Sequence, residues 1–319
     1  MSTLVIFDGF NAVWRLAHTM PELTTPKGQP IQLVYGFLRL VRSCLHELDA
    51  DDAIVCWEEG RSKLRKRLDP WYKSNRGDGD PQKEAQRGVV NSQADLLKKV
   101  LSRMAVAQTG NGDQELEADD YIAACCLLDY ERKVIVSTDH DYFQLVNEST
   151  EVYCPSFRPL KNIVYTEKNF FSLLRLTPRR FLEARLLEGD KTDFIAGING
   201  VGPVISKQLV LAIEGNPVDI IFSPKHMKTL RESCGVRIGK IFKDLDPKYL
   251  SERIALNRKL MDLTLYRQRC FPAVQQALAD VTPADGMVIF RTFRELQFQS
   301  LMDNFPTWVR PFLALGKTR

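Results

Sequence analysis

Three short apolar runs rich in Val and Ile, at residues 4–7, 53–57 and 134–136, alternate with segments of helical periodicity at 31–48, 91–106 and 118–130. Strands alternating with helices predict an α/β domain built on a parallel sheet, with the helices flanking it. The segment 61–90 breaks this rhythm, being charged, dotted with glycine and poor in apolar residues, and it reads as an insertion that leaves the core. Beyond residue 175 the strand signals fade, and Pro178, Pro203, Pro217, Pro224 and Pro247 punctuate a series of helix-like stretches. The expected organisation is a core at 1–175 carrying the insertion, a helical domain at 176–265, and a C-terminal helical extension at 266–319 in which no motif is legible.

At 319 residues the chain can bury a large core and add a smaller domain. The opening MSTLVIFDGFN has no basic region before a long apolar run, and no later stretch nears the roughly 20 apolar residues of a membrane helix, so a cytoplasmic protein without a membrane partner is expected. Seven scattered cysteines without a Cys-x-x-Cys pair argue against a disulfide framework and a zinc site. A net charge of +4 does not by itself establish a nucleic-acid partner, so the local distribution of charge carries the argument.

Acidic residues stand where the strands should end. Asp8 closes the first run, Glu58 and Glu59 the second, and Asp139 and Asp141 follow the third. Glu117, Asp119 and Asp120 open a helix, while Asp190 and Asp193 are three residues apart and can share a helix face. In open parallel sheets functional groups gather beyond the carboxyl ends of the strands. Carboxylates brought together there repel one another unless a cation intervenes, and hard ions such as Mg²⁺ or Mn²⁺ suit oxygen ligands and phosphate. Two such ions can activate water and stabilise the leaving oxygen in phosphodiester hydrolysis. Each residue alone has a plainer reading, Asp8 as a turn cap and Asp119 and Asp120 as complements to a helix N-terminus, so the weight rests on the set.

RSKLRKRLDPWYKSNR, residues 61–76, carries seven Lys or Arg against one Asp, with Trp71 and Tyr72 beside Lys73. Cations release counterions from phosphates and aromatic rings stack on unpaired bases, so this is a plausible grip on single-stranded nucleic acid, the plainer alternative being a solvated basic helix. GINGVGP at 197–203 resembles the turn of a helix-hairpin-helix, where glycine lets the backbone approach a phosphate and Pro203 starts the next helix. His140 lies between Asp139 and Asp141, and alternation along an extended segment points it away from them, so it is left out of the metal set.

Taken in order, these motifs resemble the 5′ nuclease or flap endonuclease superfamily, which includes the 5′ nuclease domain of bacterial DNA polymerase I and small phage enzymes. The resemblance covers residues 4 to about 210, and the length and C-terminal helices are most similar to the phage RNase H-type members. It implies a PIN-like sheet, a helical arch at the insertion, and a helix-hairpin-helix-type (H3TH) motif. FDGFNAVWR resembles the first metal strand and implies roles for Asp8, Asn11 and Arg15. LRKRLDPWYKSNR resembles the arch entrance and implies phosphate-facing or stacking roles for Arg65, Tyr72, Lys73 and Arg76, with Lys73 and Arg76 stabilising developing charge. LEADD and STDHD are similar to the central acidic motifs, Glu117, Asp119, Asp120, Asp139 and Asp141. LLEGDKTDF and GINGVG imply the last acidic pair, Asp190 and Asp193, with Arg185 facing the reacting phosphate and Gly200, Gly202 and Lys207 on duplex DNA. Glu58 stands where the family has aspartate, Phe194 where it has asparagine, and Val204 and Gln208 replace basic positions.

The implied activity is that of a structure-specific 5′-3′ exonuclease or flap endonuclease using two or more Mg²⁺ or Mn²⁺ ions. Its expected substrates are a 5′ flap, nick, gap or RNA primer on DNA, in replication or repair, with the protein acting as a monomer in a bacterial cell or phage-infected host. Two rival readings are a PIN-type ribonuclease, opposed by residues 61–76 and 197–203, and a junction-binding protein with a decayed metal site, opposed by the otherwise complete acidic set.

Overall fold

The computed structural model describes residues 2–74, 80–156, 162–212, 241 and 246–317. Its centre is a six-stranded sheet of β1 (Thr3–Asp8), β2 (Asp52–Cys56), β3 (Ala107–Thr109), β4 (Arg132–Val136), β5 (Thr150–Cys154) and β6 (Ile163–Tyr165), ordered β3-β2-β1-β4-β5-β6. All pairings are parallel except that of β5 with β6. All six residues of β1 are buried, as a central strand covered on both faces requires. Its side chains alternate between two cores: Val5 and Phe7 enter one, Leu4 and Ile6 the other. The strands absent from the sequence reading, β3, β5 and β6, have only three to five residues each. The two three-residue strands, β3 and β6, lie beside longer neighbours that supply their hydrogen bonds, so their own apolar content need not announce them.

The first core is covered by α1 (Gly9–Thr19), α2 (Gln32–Glu47) and α4 (Pro81–Leu101), the second by α5 (Ala118–Cys125) and a short 3₁₀ helix, His140–Leu145. Helix α4 corrects the expected insertion: it starts at Asp80-Pro81, with Asp80 capping the Gln82 and Lys83 amides, so the last third of 61–90 belongs to a regular 21-residue helix. Before it, α3 (Lys63–Leu68) is capped by Ser62 Oγ accepting from the Arg65 amide.

A third core joins α7 (Pro178–Glu188), a two-stranded hairpin of β7 (Gly189–Asp190) and β8 (Ile195–Ala196), α8 (Pro203–Ala212) and α9 (Pro247–Met261); α6 (Glu167–Leu174) leads into it. The C-terminal segment is not an appendage. Helix α10 (Arg267–Ala279) places Cys270, Val274 and Leu278 in the second core, while α11 (Gly286–Glu295), α12 (Gln299–Met302) and α13 (Phe305–Ala314) send Phe293, Leu301, Trp308 and Phe312 into the first. Among the described residues no helix is long and apolar enough to cross a membrane.

Candidate active site

The strand order runs from β1 toward β2 on one side and toward β4 on the other, and a cleft opens beyond the carboxyl ends at that switch point. It has a volume of about 680 Å³ and is lined by Asp8, Asp119, Asp139, Asp141, Asp190 and Asp193, with Glu58 at one side and Arg15, Lys73 and Arg185 among them.

Each carboxylate is held by the element that delivers it. Asp8 ends β1 and caps α1, accepting from the Asn11 amide at 3.2 Å, so its plainer reading as a cap is also true. Its Oδ2 accepts from Ser137 at 3.1 Å, and the Asp139 amide donates to Ser137 Oγ at 3.1 Å, linking the ends of β1 and β4. Asp139 in turn caps the 3₁₀ helix through the Asp141 amide at 2.9 Å. The hydroxyl of Tyr142, fully buried, donates to Asp8 at 2.9 Å and lies in hydrogen-bond contact with Asp119. Across the cleft Arg185 donates to Asp190 at 2.5 Å and to Asp141 at 3.3 Å, while Asp190 Oδ1 accepts from the Thr192 and Asp193 amides.

This density of acid is costly. Burial, then the neighbouring Asp139, pushes Asp8 up to about 6. The same two causes push Asp141 up to about 7, against the pull of Arg185. Burial, with Asp139 and Asp8 beside it, drives Asp119 well above the usual carboxylate range although Lys73 opposes it. Among the described residues no three acidic, histidine or cysteine side chains converge tightly enough to chelate an ion unaided. The donor set is nonetheless all oxygen and spread along an open cleft. That suits hard divalent ions, which retain waters and take phosphate oxygens as further ligands.

Behind the cleft a second charged cluster corrects four expectations. Arg65 is 1% exposed and grips Asp120, itself 0% exposed, through two hydrogen bonds of 2.6 and 2.8 Å. Its Nε donates to Leu260 O at 3.0 Å. Arg65 therefore cannot face a phosphate, nor Asp120 a metal. Tyr72 is buried too, its hydroxyl donating to Glu117 at 2.8 Å, so it offers no stacking face. Glu117 is 1% exposed and does not line the cleft: Lys73 Nζ lies 2.9 Å from its Oε1. Burial would raise Glu117, but Lys73 and Arg65 hold it down at about 2. Lys73 reaches both ways, to Glu117 and, at 3.7 Å, to Asp193. The neighbouring Trp71, by contrast, is exposed.

The remaining expected residues divide. Asn11 and Arg15 line the cleft, tied to the β4 end through Thr138, which donates to Asn11 at 3.0 Å and accepts from Arg15 at 2.9 Å. Gly200 and Gly202 lie between the hairpin and α8. Gly200 has φ +83°, the left-handed region that suits glycine. A Cβ at Gly197 would come within 1.9 Å of Glu188 O, so this turn can close only on glycine. Lys207 on α8 donates to Leu174 O at 2.5 Å. Asn257 on α9 fixes the hairpin by donating to Leu186 O and Ala196 O, both at 2.9 Å. Arg76 lies outside the described residues.

His140 begins a 3₁₀ helix instead of an extended segment; it lines the cleft and stacks on Phe143 at 4.8 Å. Tyr142 and Ser137 were missed. Tyr142 falls three residues after Asp139, which in a 3₁₀ helix returns to the same side, a signal that requires knowing the helix is there. From the cleft a basic groove continues between α3 and α4, lined by Arg61, Lys63, Lys66, Lys83, Arg87 and Lys98 and sharing Phe10, Trp14, His18 and Glu58 with it.

The chain matches the 5′-3′ exonuclease N-terminal resolvase-like domain over residues 3–174. It is 28% identical over 283 residues to a 5′-3′ exonuclease of Aquifex aeolicus, covering 84% of this chain and 91% of that one. It is 27% identical over 312 residues to the thermostable DNA polymerase I of Thermus filiformis, of which it spans 33%. Among solved structures, a bacteriophage T5 D15 flap endonuclease in a complex with DNA and metal ions is similar in fold, with a TM-score of 0.66 at 18% identity, over 88% of this chain and 97% of that one.

Proposed function

Since this chain belongs to the 5′-3′ exonuclease family, we propose that it is a structure-specific 5′ nuclease hydrolysing DNA, or RNA annealed to DNA, at a 5′ flap, nick or gap, with divalent ions, Mg²⁺ or Mn²⁺, in the acidic cleft. The observation that carries this is the convergence of six aspartates from β1, α5, the β4 end and the β7–β8 hairpin on one cleft beside two cations, Lys73 and Arg185. The exonuclease of Aquifex aeolicus and the T5 flap endonuclease bound to DNA and metal ions favour the same reading.

Asp8, Asp119, Asp139, Asp141, Asp190 and Asp193 are the residues that would hold the ions, with Glu58 at the margin. When bound, such ions supply an activated water and charge compensation for the leaving oxygen. Tyr142 and Ser137 orient Asp8. Arg185, placed between Asp141 and Asp190, is aimed at a phosphate entering the cleft and balances charge developing there. Lys73 has the same charge and lines the same cleft, its ammonium set by Glu117. The basic groove between α3 and α4 attracts an unpaired strand, while the backbone at Gly200 and Gly202, ahead of the α8 N-terminus, receives a duplex phosphate, with Lys207 behind it. Asn11 and Arg15, which also line the cleft, would contact the strand being cut.

The deciding experiment is cleavage of an end-labelled 5′-flap duplex with Mg²⁺, with Mn²⁺ and with EDTA, in DNA and with an RNA 5′ segment. Ion-dependent cuts near the junction support the proposal; binding without cutting in any ion would favour a junction-binding protein instead.

A further inference from the structure

Trp71 is 68% exposed and Phe194 is 49% exposed, an unusual state for two large aromatic side chains whose ring centroids stand 6.5 Å apart at a tilt of 39°. They meet because the backbone beside them is joined: the Lys73 amide donates to Asp193 O at 2.7 Å. Lys73 and Asp193 both line the acidic cleft. Trp71 comes two residues before one and Phe194 one residue after the other, so the pair stands at the cleft rim. The turn bearing Trp71 is fixed by Asp69, whose carboxylate accepts from the Trp71 amide at 3.0 Å, and by the buried Tyr72 that follows. Phe194 ends the loop of the β7–β8 hairpin in the left-handed region, at φ +60°. Glycine or asparagine adopts that conformation at lower cost, and the phenyl ring recovers little of the cost by burial.

We infer that Trp71 and Phe194 form a stacking subsite for an unpaired nucleobase flanking the cleaved phosphodiester, an inference that rests on the nuclease reading above. A base is the ligand these rings fit. It is planar and largely apolar on its faces, and the strand it belongs to is brought to this rim by the phosphate that enters the cleft. Two tilted rings with free faces accept any base, because every base has a π-face, so the subsite grips without reading sequence. It also works by a different means from the basic groove, since stacking does not weaken as salt rises in the way phosphate contacts do.

The test uses the full chain and a 5′-flap duplex, with an abasic analogue placed in turn at each of the two nucleotides on either side of the cut. Wild type, Trp71→Ala, Phe194→Ala and Trp71→Phe are compared for affinity in Ca²⁺ and for KM and kcat in Mg²⁺, with thermal melting confirming that these exposed truncations leave the fold intact. One abasic position is expected to weaken wild-type binding about tenfold, the size of one stacking contact. Trp71→Ala should weaken intact DNA by a similar factor, lose nothing further on that abasic duplex and keep its kcat, while Trp71→Phe recovers most of the affinity. Unchanged affinity in both alanine variants, or variant and abasic losses that simply multiply, overturns the subsite while cleavage itself survives. A chain that neither binds nor cuts any of these duplexes removes the nuclease reading and the subsite together.

Discussion

Arg65 and Asp120 form a fully buried bidentate pair, 2.6 and 2.8 Å between the guanidinium nitrogens and the two carboxylate oxygens, with the Arg65 Nε tied to Leu260 O at the end of α9. Three elements far apart in sequence, α3, α5 and α9, are joined at this one side chain. Tyr266 closes it with its ring 5.6 Å from the guanidinium carbon. The cluster is a foundation beneath the cleft, since the adjacent Glu117 is what steers Lys73.

Arg65→Ala should therefore destabilise the fold by about 3–5 kcal/mol, because it strands the Asp120 charge without a partner. Urea unfolding measures this. A variant as stable as wild type that binds DNA less tightly would restore Arg65 to a phosphate-facing role.

Asp139→Asn should reduce cleavage at least about a hundredfold, since several kcal/mol of charge stabilisation at the cleft depend on it. Affinity for a flap duplex in Ca²⁺ should hold within a few-fold. Retained cleavage would show that the ions sit elsewhere.

Tyr142→Phe keeps the packing of a fully buried ring and removes only the hydroxyl shared by Asp8 and Asp119. Loss of such an orienting contact weakens ion binding by about 10- to 100-fold. Calorimetric titration with Mn²⁺ in the absence of DNA reads this directly, and unchanged ion affinity would remove the positioning role.

Stability without divalent ions should fall as pH rises from about 4 to about 7. Asp8 and Asp141 titrate near 6 and 7 in the fold against 3.8 when unfolded, so over that range the unfolded chain has released protons the folded one still holds. Glu117 acts in the opposite sense: held at about 2, it contributes stability above its unfolded value of 4.5 that is lost as pH falls toward 2. Melting curves with EDTA against pH test both slopes. Adding Mg²⁺ at pH 8 should raise the melting temperature, because an ion bound only by the folded state stabilises it by mass action.

Phe293→Ala should destabilise by about 3–5 kcal/mol despite lying far from the matched domain in sequence, because its ring packs on Trp308 and Phe298 in the first core. A near-neutral effect in thermal melting would make the C-terminal helices dispensable.

The kind of fold and the kind of chemistry were legible in the order of residues alone. Continuous apolar runs such as 4–7, alternating with segments of helical period, read as central strands, and Asp8 and Asp139 then emerge at the carboxyl edge, since a strand's end follows where its apolar run stops. Which charged groups face solvent and ions, and which face each other, was settled by packing. LRKRLDPWYK reads as one basic stripe, yet Arg65, Tyr72 and Lys73 turn inward while Trp71 turns out. Helical spacing gives no hint that Asp120 would be waiting for Arg65, 55 residues away in sequence. The same holds for Glu117 and Asp119, two residues apart and opening one helix, one sealed under Lys73 and the other open to the cleft. Periodicity places a side chain on its own element; its partner is set by how elements pack, and the low dielectric of the packed interior then makes each such pairing decisive.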